Sequence, residues 1–322
     1  MLRGGGLKPK RKIRIKEPAN SLKDCWYCLG QVVSSVIMRI EKRRCFRLVC
    51  RGILMKARLA IIGGTGFYDP GMVDNLQQLE VKTSYGAVPY QIGDYHGREV
   101  VFLARHGKEH NLPPHRVNYR ANMWALRKLG VEYVLSTTAV GSLREEIPPG
   151  MLVVLDQFID FTKYREHTFY DGTEGEVVHT DFTEPYCPVL RQTLWRILRQ
   201  KGVTFREKGT YICTEGPRYE TPAEVKLFAA WGGDVVGMTN VPEVTLAREA
   251  GLCYASLSLV TNYGSGLSPQ PLTHQEVVEE MTANIKIIRD VFMETFLSLP
   301  ENKECRCAFK EDYKLGNSLD SR

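Results

Sequence analysis

The chain offers no stretch suited to spanning a membrane. Its most apolar N-terminal run, Gln31–Ile40 (QVVSSVIMRI), falls far short of the roughly 20 residues a bilayer needs and is flanked by charge. Acidic residues are scarce at the start. Residues 1–54 hold 14 Lys and Arg against 3 Asp and Glu, about +11, leaving 29 against 34, about −5, for the rest. The net charge of +6 and the basic pI therefore belong to the N-terminal segment. Without that segment the chain is mildly acidic, so nucleic acid is not an expected partner. No Lys-Ser/Thr follows Gly63-Gly-Thr-Gly66, which excludes a Walker motif. Phe67-Tyr-Asp-Pro70 ends the pattern where the helix of a dinucleotide fingerprint would begin. No internal repeat and no linker interrupts residues 55–300.

Cysteine is plentiful, with nine residues, but metal-ligand spacing is lacking. Cys25-x-x-Cys28 with Cys45 and Cys50 has the outline of a zinc site. Its second pair is too widely spaced and the intervening run is apolar, so no metal is expected there. Cys187, Cys213 and Cys253 read as buried thiols. Cys305-x-Cys307 has the spacing of a tight disulfide, and a free reduced pair is the expectation for a cytosolic chain.

What is present centres on Thr214–Glu243, TEGPRYETPAEVKLFAAWGGDVVGMTNVPE. Thr221-Pro-Ala-Glu224 is a capping box with Pro222 at the first helical position. Asn240-Val-Pro-Glu243 reads as a second box, its helix closed by Gly251. Gly232-Gly-Asp234 is a turn and Val235-Val236 a short buried strand. The turns Gly216–Glu220 and Gly237–Asn240 thus each precede a helix N-terminus. Free N–H groups and a partial positive charge there suit an anionic or polar ligand.

Elsewhere, strands are expected over Arg58–Ile62, Glu99–Ala104, Tyr133–Thr138, Met151–Ile159, Gly209–Cys213 and Leu252–Val260. Helices are expected over Val117–Leu129, Pro188–Gln200 with its stripe of Val189, Leu190, Leu194, Ile197 and Leu198, and Thr273 to about Phe296, capped by Thr273 and Glu276. Arg105-His106 reads as a solvent-facing pair past a strand end. Phe161–Thr183 is a turn-rich loop long enough to imply function or an interface. Strands alternate with helices, and polar residues collect just past strand C-termini, where open α/β sheets place their sites. Residues 1–55 form a basic, disorder-like extension, residues 56–300 one domain, and residues 301–322 a polar, frayed tail. Abundant Arg and few acids suit a mitochondrial presequence, but the segment is long and rich in Lys, with little Ser. Met55 is read as a natural start, with the extension added upstream.

The motifs IIGGTG (61–66), ARHG (104–107), TTAVGSLREEIPPG (137–150), DQFID (156–160), FYDG (169–172), EGPRYETPAE (215–224) and GMTNVPEV (237–244) together resemble the trimeric purine nucleoside phosphorylases, in the branch that includes methylthioadenosine phosphorylase. The resemblance runs from Ala57 to Leu299. It implies an α/β fold with a central mixed, twisted sheet flanked by helices, in a cytoplasmic homotrimer. It implies phosphorolysis, in which inorganic phosphate, a co-substrate, attacks C1′ of a purine nucleoside. No metal or organic cofactor is expected.

The resemblance assigns phosphate binding to Gly64, Thr65, Arg105, His106, Thr138, Ala139 and Thr239. It places Met238 under the ribose, and Tyr219, Glu220, Asn262 and Gly264 around the nucleoside. Asn262 supplies the donor for N7 of the leaving purine and, with Arg105 and His106, makes up the catalytic set. His179 resembles a residue lent by a neighbouring subunit. Methylthioadenosine phosphorylases carry Ser at the position of Glu220 and Asp at those of Asn262 and Gly264. Glu220 with Asn262 is the combination of 6-oxopurine phosphorylases, since a carboxylate accepts from N1–H of hypoxanthine or guanine. At the 5′ end His274 matches a residue that reaches the 5′-hydroxyl, while Leu272, Val277 and Val278 suit a thiomethyl group. The reading is a 6-oxopurine nucleoside phosphorylase of purine salvage. Methylthioinosine and methylthioadenosine phosphorylase are the alternatives within the family. A non-catalytic nucleotide-binding protein docking through its basic N-terminus is the rival from another class, and intact Thr65, Arg105, His106 and Thr239 argue against it.

Overall fold

The computed structural model describes residues 59–64, 72–107, 109, 111–173, 175, 177–268, 273–300 and 305–307, all within the compact unit Lys56–Arg322. The expectations for residues 1–55, Thr65 and Leu272 lie outside the described residues.

Among the described residues eleven strands form one mixed sheet. They are β1 (Leu59–Gly63), β2 (Asp74–Thr83), β3 (Gly86–Tyr95), β4 (Arg98–Ala104), β5 (Tyr133–Ser142), β6 (Leu152–Val154), β7 (Gln157–Asp160), β8 (Phe205–Arg206), β9 (Thr210–Cys213), β10 (Val235–Gly237) and β11 (Cys253–Tyr263). The main path runs β2-β3-β4-β1-β5-β10-β9-β7, with β11 on β5 and β6, and β8 on β6. Among the described residues five α-helices accompany it: α1 (Tyr119–Lys128), α2 (Pro188–Gln200), α3 (Pro222–Ala230), α4 (Asn240–Glu249) and α5 (His274–Leu297). The α/β class with a mixed central sheet is as the sequence implies.

Strand β5 is the hinge of this topology. Tyr133–Ser136 pair in parallel with β1, and the same strand's Gly141 and Ser142 pair antiparallel with β10. Strand β11 follows β5 in parallel along its whole length. β1, β5 and β11 are buried almost throughout. That explains why they show no in-out alternation, since strands covered on both faces do not alternate; the polar residues within β5 and β11, among them Ser136, Thr138, Ser256 and Ser258, are buried as well.

The two sides of the sheet carry separate cores. On one, Leu190, Leu194 and Ile197 of α2 meet Ile288, Phe292 and Phe296 of α5. On the other, Met123, Trp124 and Leu126 of α1 pack with Val244, Leu246 and Ala247 of α4. Burying side chains of this size contributes roughly 1.5–3 kcal/mol each. A smaller cluster of Leu143, Ile212, Val225, Phe228 and Val236 holds α3.

Several local expectations need correction. Met151–Ile159 is two strands, β6 and β7, which pair with different partners, β11 and β9. The β2–β3 hairpin has no counterpart in the sequence reading. β2 is an edge strand whose DNLQQLEVKT is mostly exposed, so it lacks the period-two signal that marks half-buried strands. Cys305 to Cys307, assigned to a frayed polar tail, lie against the core, with Cys307 buried. Among the described residues no helix is long and apolar enough to cross a membrane.

Candidate active site

The polar residues singled out from the sequence gather at the C-terminal ends of β1, β4, β5, β10 and β11, with the segment after β9. Gly64 follows β1, Arg105 and His106 follow β4, and Thr138 and Ala139 lie in β5. The Arg105 amide donates to the Gly63 carbonyl at 3.1 Å, tying the first two ends together.

Arg105 is not the solvent-facing side chain expected. It is only 2% exposed. Its Nε donates to Glu243 Oε2 at 2.7 Å and its Nη2 to Glu243 Oε1 at 2.8 Å. Nη2 also donates to Ser136 Oγ at 2.6 Å, and Nη1 to the Thr137 carbonyl at 3.0 Å. Among the described residues four of the five guanidinium N–H groups are thereby engaged, and one on Nη1 has no partner there. Burial works against the charge, but the Glu243 carboxylate outweighs it and holds the guanidinium above its ordinary pKa. Ser136 Oγ and Tyr254 Oη donate to the same Glu243 Oε1 at 2.8 and 2.7 Å.

Glu243 was expected in a capping box. The box does not form: Val241 and Pro242 depart from helical geometry, and Thr239 occupies the N-cap without a side-chain cap bond. The carboxylate instead turns inward to Arg105. In sequence the only sign of this was an acid inside an otherwise apolar helix start. The boxes at Thr221–Glu224 and Thr273–Glu276 form as expected.

His106 is placed by a reciprocal pair with Leu112: its Nδ1 meets the Leu112 carbonyl at 2.8 Å, and its own carbonyl accepts the Leu112 amide at 3.1 Å. A carbonyl only accepts, so the proton sits on Nδ1. Thr138 Oγ1 shares a hydrogen bond with Ser258 Oγ at 2.8 Å. The buried Thr137 Oγ1 finds no partner among the described residues. Thr239 receives no side-chain cap duty, and its amide donates to Tyr211 Oη at 3.2 Å.

At the other end, Glu220 is 9% exposed and accepts from Thr214 Oγ1 at 2.7 Å. Burial raises its carboxyl above the ordinary value, and the Thr214 hydrogen bond only partly offsets this. Tyr219 beside it is partly exposed. Gly216 has φ +65°, and a Cβ there would fall 2.6 Å from Met238 Sδ. The turn therefore lies flat on Met238, which only glycine permits.

Asn262 owes its direction to a β-bulge. The β5–β11 register shifts between Val260 and Asn262, leaving Thr261 outside the pairing, and such a bulge re-aims the side chain beyond it. Thr261 Oγ1 donates to Asn262 Oδ1 at 2.8 Å, and Asn262 Nδ2 donates to the Tyr263 carbonyl at 2.9 Å. Among the described residues the other Nδ2 hydrogen has no partner. The same segment packs on α3: a Cβ on Gly264 would lie 3.1 Å from Val225 Cγ2, and one on Gly266 2.8 Å from Pro222 Cβ. Glu220 immediately precedes this part of α3, so the segments carrying Glu220 and Asn262 touch.

Arg165, from the long loop, was missed by sequence reasoning. It donates to the carbonyls of Val241 at 2.6 Å, Thr214 at 3.2 Å and Glu215 at 2.8 Å. It thus clamps the two turns of the site to one another. His274 stands exposed at the start of α5, and His179 is exposed in the long loop; the structure does not bring either into the network above.

Comparison with known proteins identifies the family. Residues 58–298 match the family model described as Phosphorylase superfamily. The chain is 59% identical over 256 residues, 79% of its length and 97% of the relative's, to a probable 6-oxopurine nucleoside phosphorylase of Dictyoglomus turgidum. It is 46% identical over 255 residues, 79% of its length and 96% of the relative's, to an S-methyl-5′-thioadenosine phosphorylase of Thermofilum pendens. Among solved structures, methylthioadenosine phosphorylase from Schistosoma mansoni in complex with adenine superposes with a TM-score of 0.72 at 36% identity, covering 75% of this chain and 91% of that one. With the family model spanning most of the chain and its strand ends carrying these polar groups, the protein belongs to the phosphorylase superfamily.

Proposed function

We propose that the protein is a purine nucleoside phosphorylase that converts 6-oxopurine nucleosides and inorganic phosphate to free base and ribose 1-phosphate. The observation that carries this is the pairing of a buried carboxylate acceptor, Glu220, with an oriented amide donor, Asn262, on touching segments. A 6-oxopurine offers the complement, a donor at N1–H and acceptors at O6 and N7. A 6-aminopurine presents an acceptor at N1, and the clash of two buried acceptors costs about 1–3 kcal/mol. The relatives named 6-oxopurine nucleoside phosphorylase, 49–59% identical to this chain, support the same base preference.

In the reaction a phosphate oxygen attacks C1′ while the C1′–N9 bond breaks and its electron pair moves into the purine ring. Positive charge develops on the sugar and negative charge on the base. The phosphate is held by the remaining Arg105 N–H, by His106, by the Thr138 and Thr239 hydroxyls, and by the loop through Gly64 and Thr65, with Ala139 in the wall. Its own charge stabilises the sugar cation, and the Asn262 donor at N7 stabilises the departing base. Met238 and Tyr219 pack about the nucleoside, and Gly264 stands beside the base. No metal or organic cofactor takes part in this scheme.

The active unit is proposed to be a homotrimer acting in purine salvage in the cytoplasm. The exposed apolar side chains of Tyr164 and Val177, 89% and 74% accessible on the long loop, suit a subunit contact. His179, two residues beyond Val177, is proposed to serve a neighbouring subunit's site. At the 5′ end His274 favours a hydroxyl. Val277 and Val278, one turn further along α5, support 5′-methylthioinosine as the second reading. Phosphate-dependent base release from inosine, guanosine, adenosine, methylthioinosine and methylthioadenosine decides among these. Equal use of adenosine and inosine would overturn the 6-oxopurine assignment.

A further inference from the structure

We propose that Cys187, Cys253, Cys305 and Cys307 form a tetrathiolate site for one zinc ion, which fastens the segment after α5 to the start of β11 and α2. The four sulfur atoms lie within 4.8 Å of one another, and Cys253 Sγ and Cys305 Sγ are 3.3 Å apart. A tetrahedral zinc with bonds of about 2.3 Å sets its sulfurs roughly 3.8 Å apart, so the cluster needs only small adjustments to close on an ion. Local spacing conceals the site, because its ligands come from three distant segments. Cys187 is the N-cap of α2 and Cys253 the first residue of β11, and the Cys187 amide donates to the Tyr254 carbonyl at 2.8 Å. Cys305 and Cys307 arrive from beyond α5.

The donor set defines the ligand. Four sulfurs with no oxygen or nitrogen donor select a thiophilic ion such as zinc over magnesium or calcium. Cys187, Cys253 and Cys307 are buried in the core that also contains Phe292, Phe296 and Leu299. Four protein ligands leave no open position, so the role is structural. On binding, each thiol releases its proton to solvent as its sulfur takes the metal, leaving a site of net charge −2. The site is remote from the chemistry: Cys253 pairs with Tyr133 and Asn262 with Gly141, so the strand separates them by about 30 Å.

The test uses the full chain, dialysed against zinc under reductant, with metal content measured by mass spectrometry. Cys305→Ser and Cys307→Ser are expected to hold one zinc fewer per chain than the wild type and to keep phosphorolysis. A difference is required because Cys25, Cys28, Cys45 and Cys50 are also present. A full chain carrying Cys25→Ser, Cys28→Ser, Cys45→Ser and Cys50→Ser leaves the four core sulfurs intact, so it tests the site even where the core variants fail to fold. It is expected to bind one zinc and, on cobalt substitution, to show the charge-transfer and visible bands of a tetrahedral thiolate complex. Equal zinc in the wild type and the core variants would overturn the proposal. So would a metal-free four-serine chain, whether peptide mapping finds its core cysteines free or joined in disulfides.

Discussion

Arg105 and Glu243 form a buried two-point ion pair, Nε to Oε2 at 2.7 Å and Nη2 to Oε1 at 2.8 Å. The pair joins the end of β4 to the start of α4. Removing either partner leaves the other charged and buried. Arg105→Ala and Glu243→Ala are each expected to destabilise the fold by about 3–5 kcal/mol, read from urea unfolding. Arg105→Lys keeps the charge without the planar fork. It is expected to raise the KM for phosphate more than that for inosine. Unchanged phosphate kinetics in Arg105→Lys would remove Arg105 from the phosphate site.

Base choice follows from Glu220 and Asn262. The kcat/KM for inosine is expected to exceed that for adenosine by at least ~100-fold, well within the discrimination a hydrogen-bonding site can reach. Glu220→Ser with Asn262→Asp should narrow that ratio. Adding Gly264→Asp places a Cβ 3.0 Å from the Ser142 carbonyl and 3.1 Å from Val225 Cγ2. The triple variant is therefore expected to need Val225→Ala before it gains further activity on adenosine. A wild-type ratio near one, measured at saturating phosphate, contradicts the assignment.

Acid dependence has a definite sign. Burial raises the Glu220 carboxyl above its ordinary value, and only the ionised form accepts from N1–H. The kcat/KM for inosine is expected to fall on the acid side with an apparent pKa above that of a free glutamate, about 4.3. Glu220→Gln should abolish that limb while lowering the plateau. The same shift makes the group favour the folded state at low pH. That contribution is lost as pH rises through the raised pKa. A profile in which Glu220→Gln keeps the wild-type acid limb would assign it to another group.

A chain beginning at Met55 is expected to fold, assemble and retain phosphorolysis, because β1 begins at Leu59 and the site lies beyond it. Light scattering and inosine turnover check this together. Loss of assembly with intact folding would make residues 1–54 part of the subunit contact.

How much was legible depended on whether the signal was local. The helix starts at Thr221 and Thr273 could be read because a capping box is complete within four residues. The buried strands β1, β5 and β11 could be read because each opens on a short apolar or small-residue run bounded by turn residues. The motif segments marked the strand ends that carry Gly64, Arg105 and Thr138, and Asn262 stood just past the expected strand Leu252–Val260. Glu243 was misread because a box and an ion pair use the same residue type, and only the approach of β4 decides between them. The direction of Asn262 depends on a bulge in the β5–β11 pairing. The β2–β3 hairpin is held at an edge by backbone bonds that leave little pattern in its side chains.

By itself the sequence determined the α/β class, the order of most elements and which residue types stand at the strand ends, since these follow from short-range periodicity and turn chemistry. The tertiary structure alone decided that Arg105 is buried on Glu243, that Arg165 clamps the two turns, and that four cysteines from three segments share one small volume. Each of these joins residues far apart in the chain. The free energy that holds them depends on burial and mutual geometry, which no local window contains.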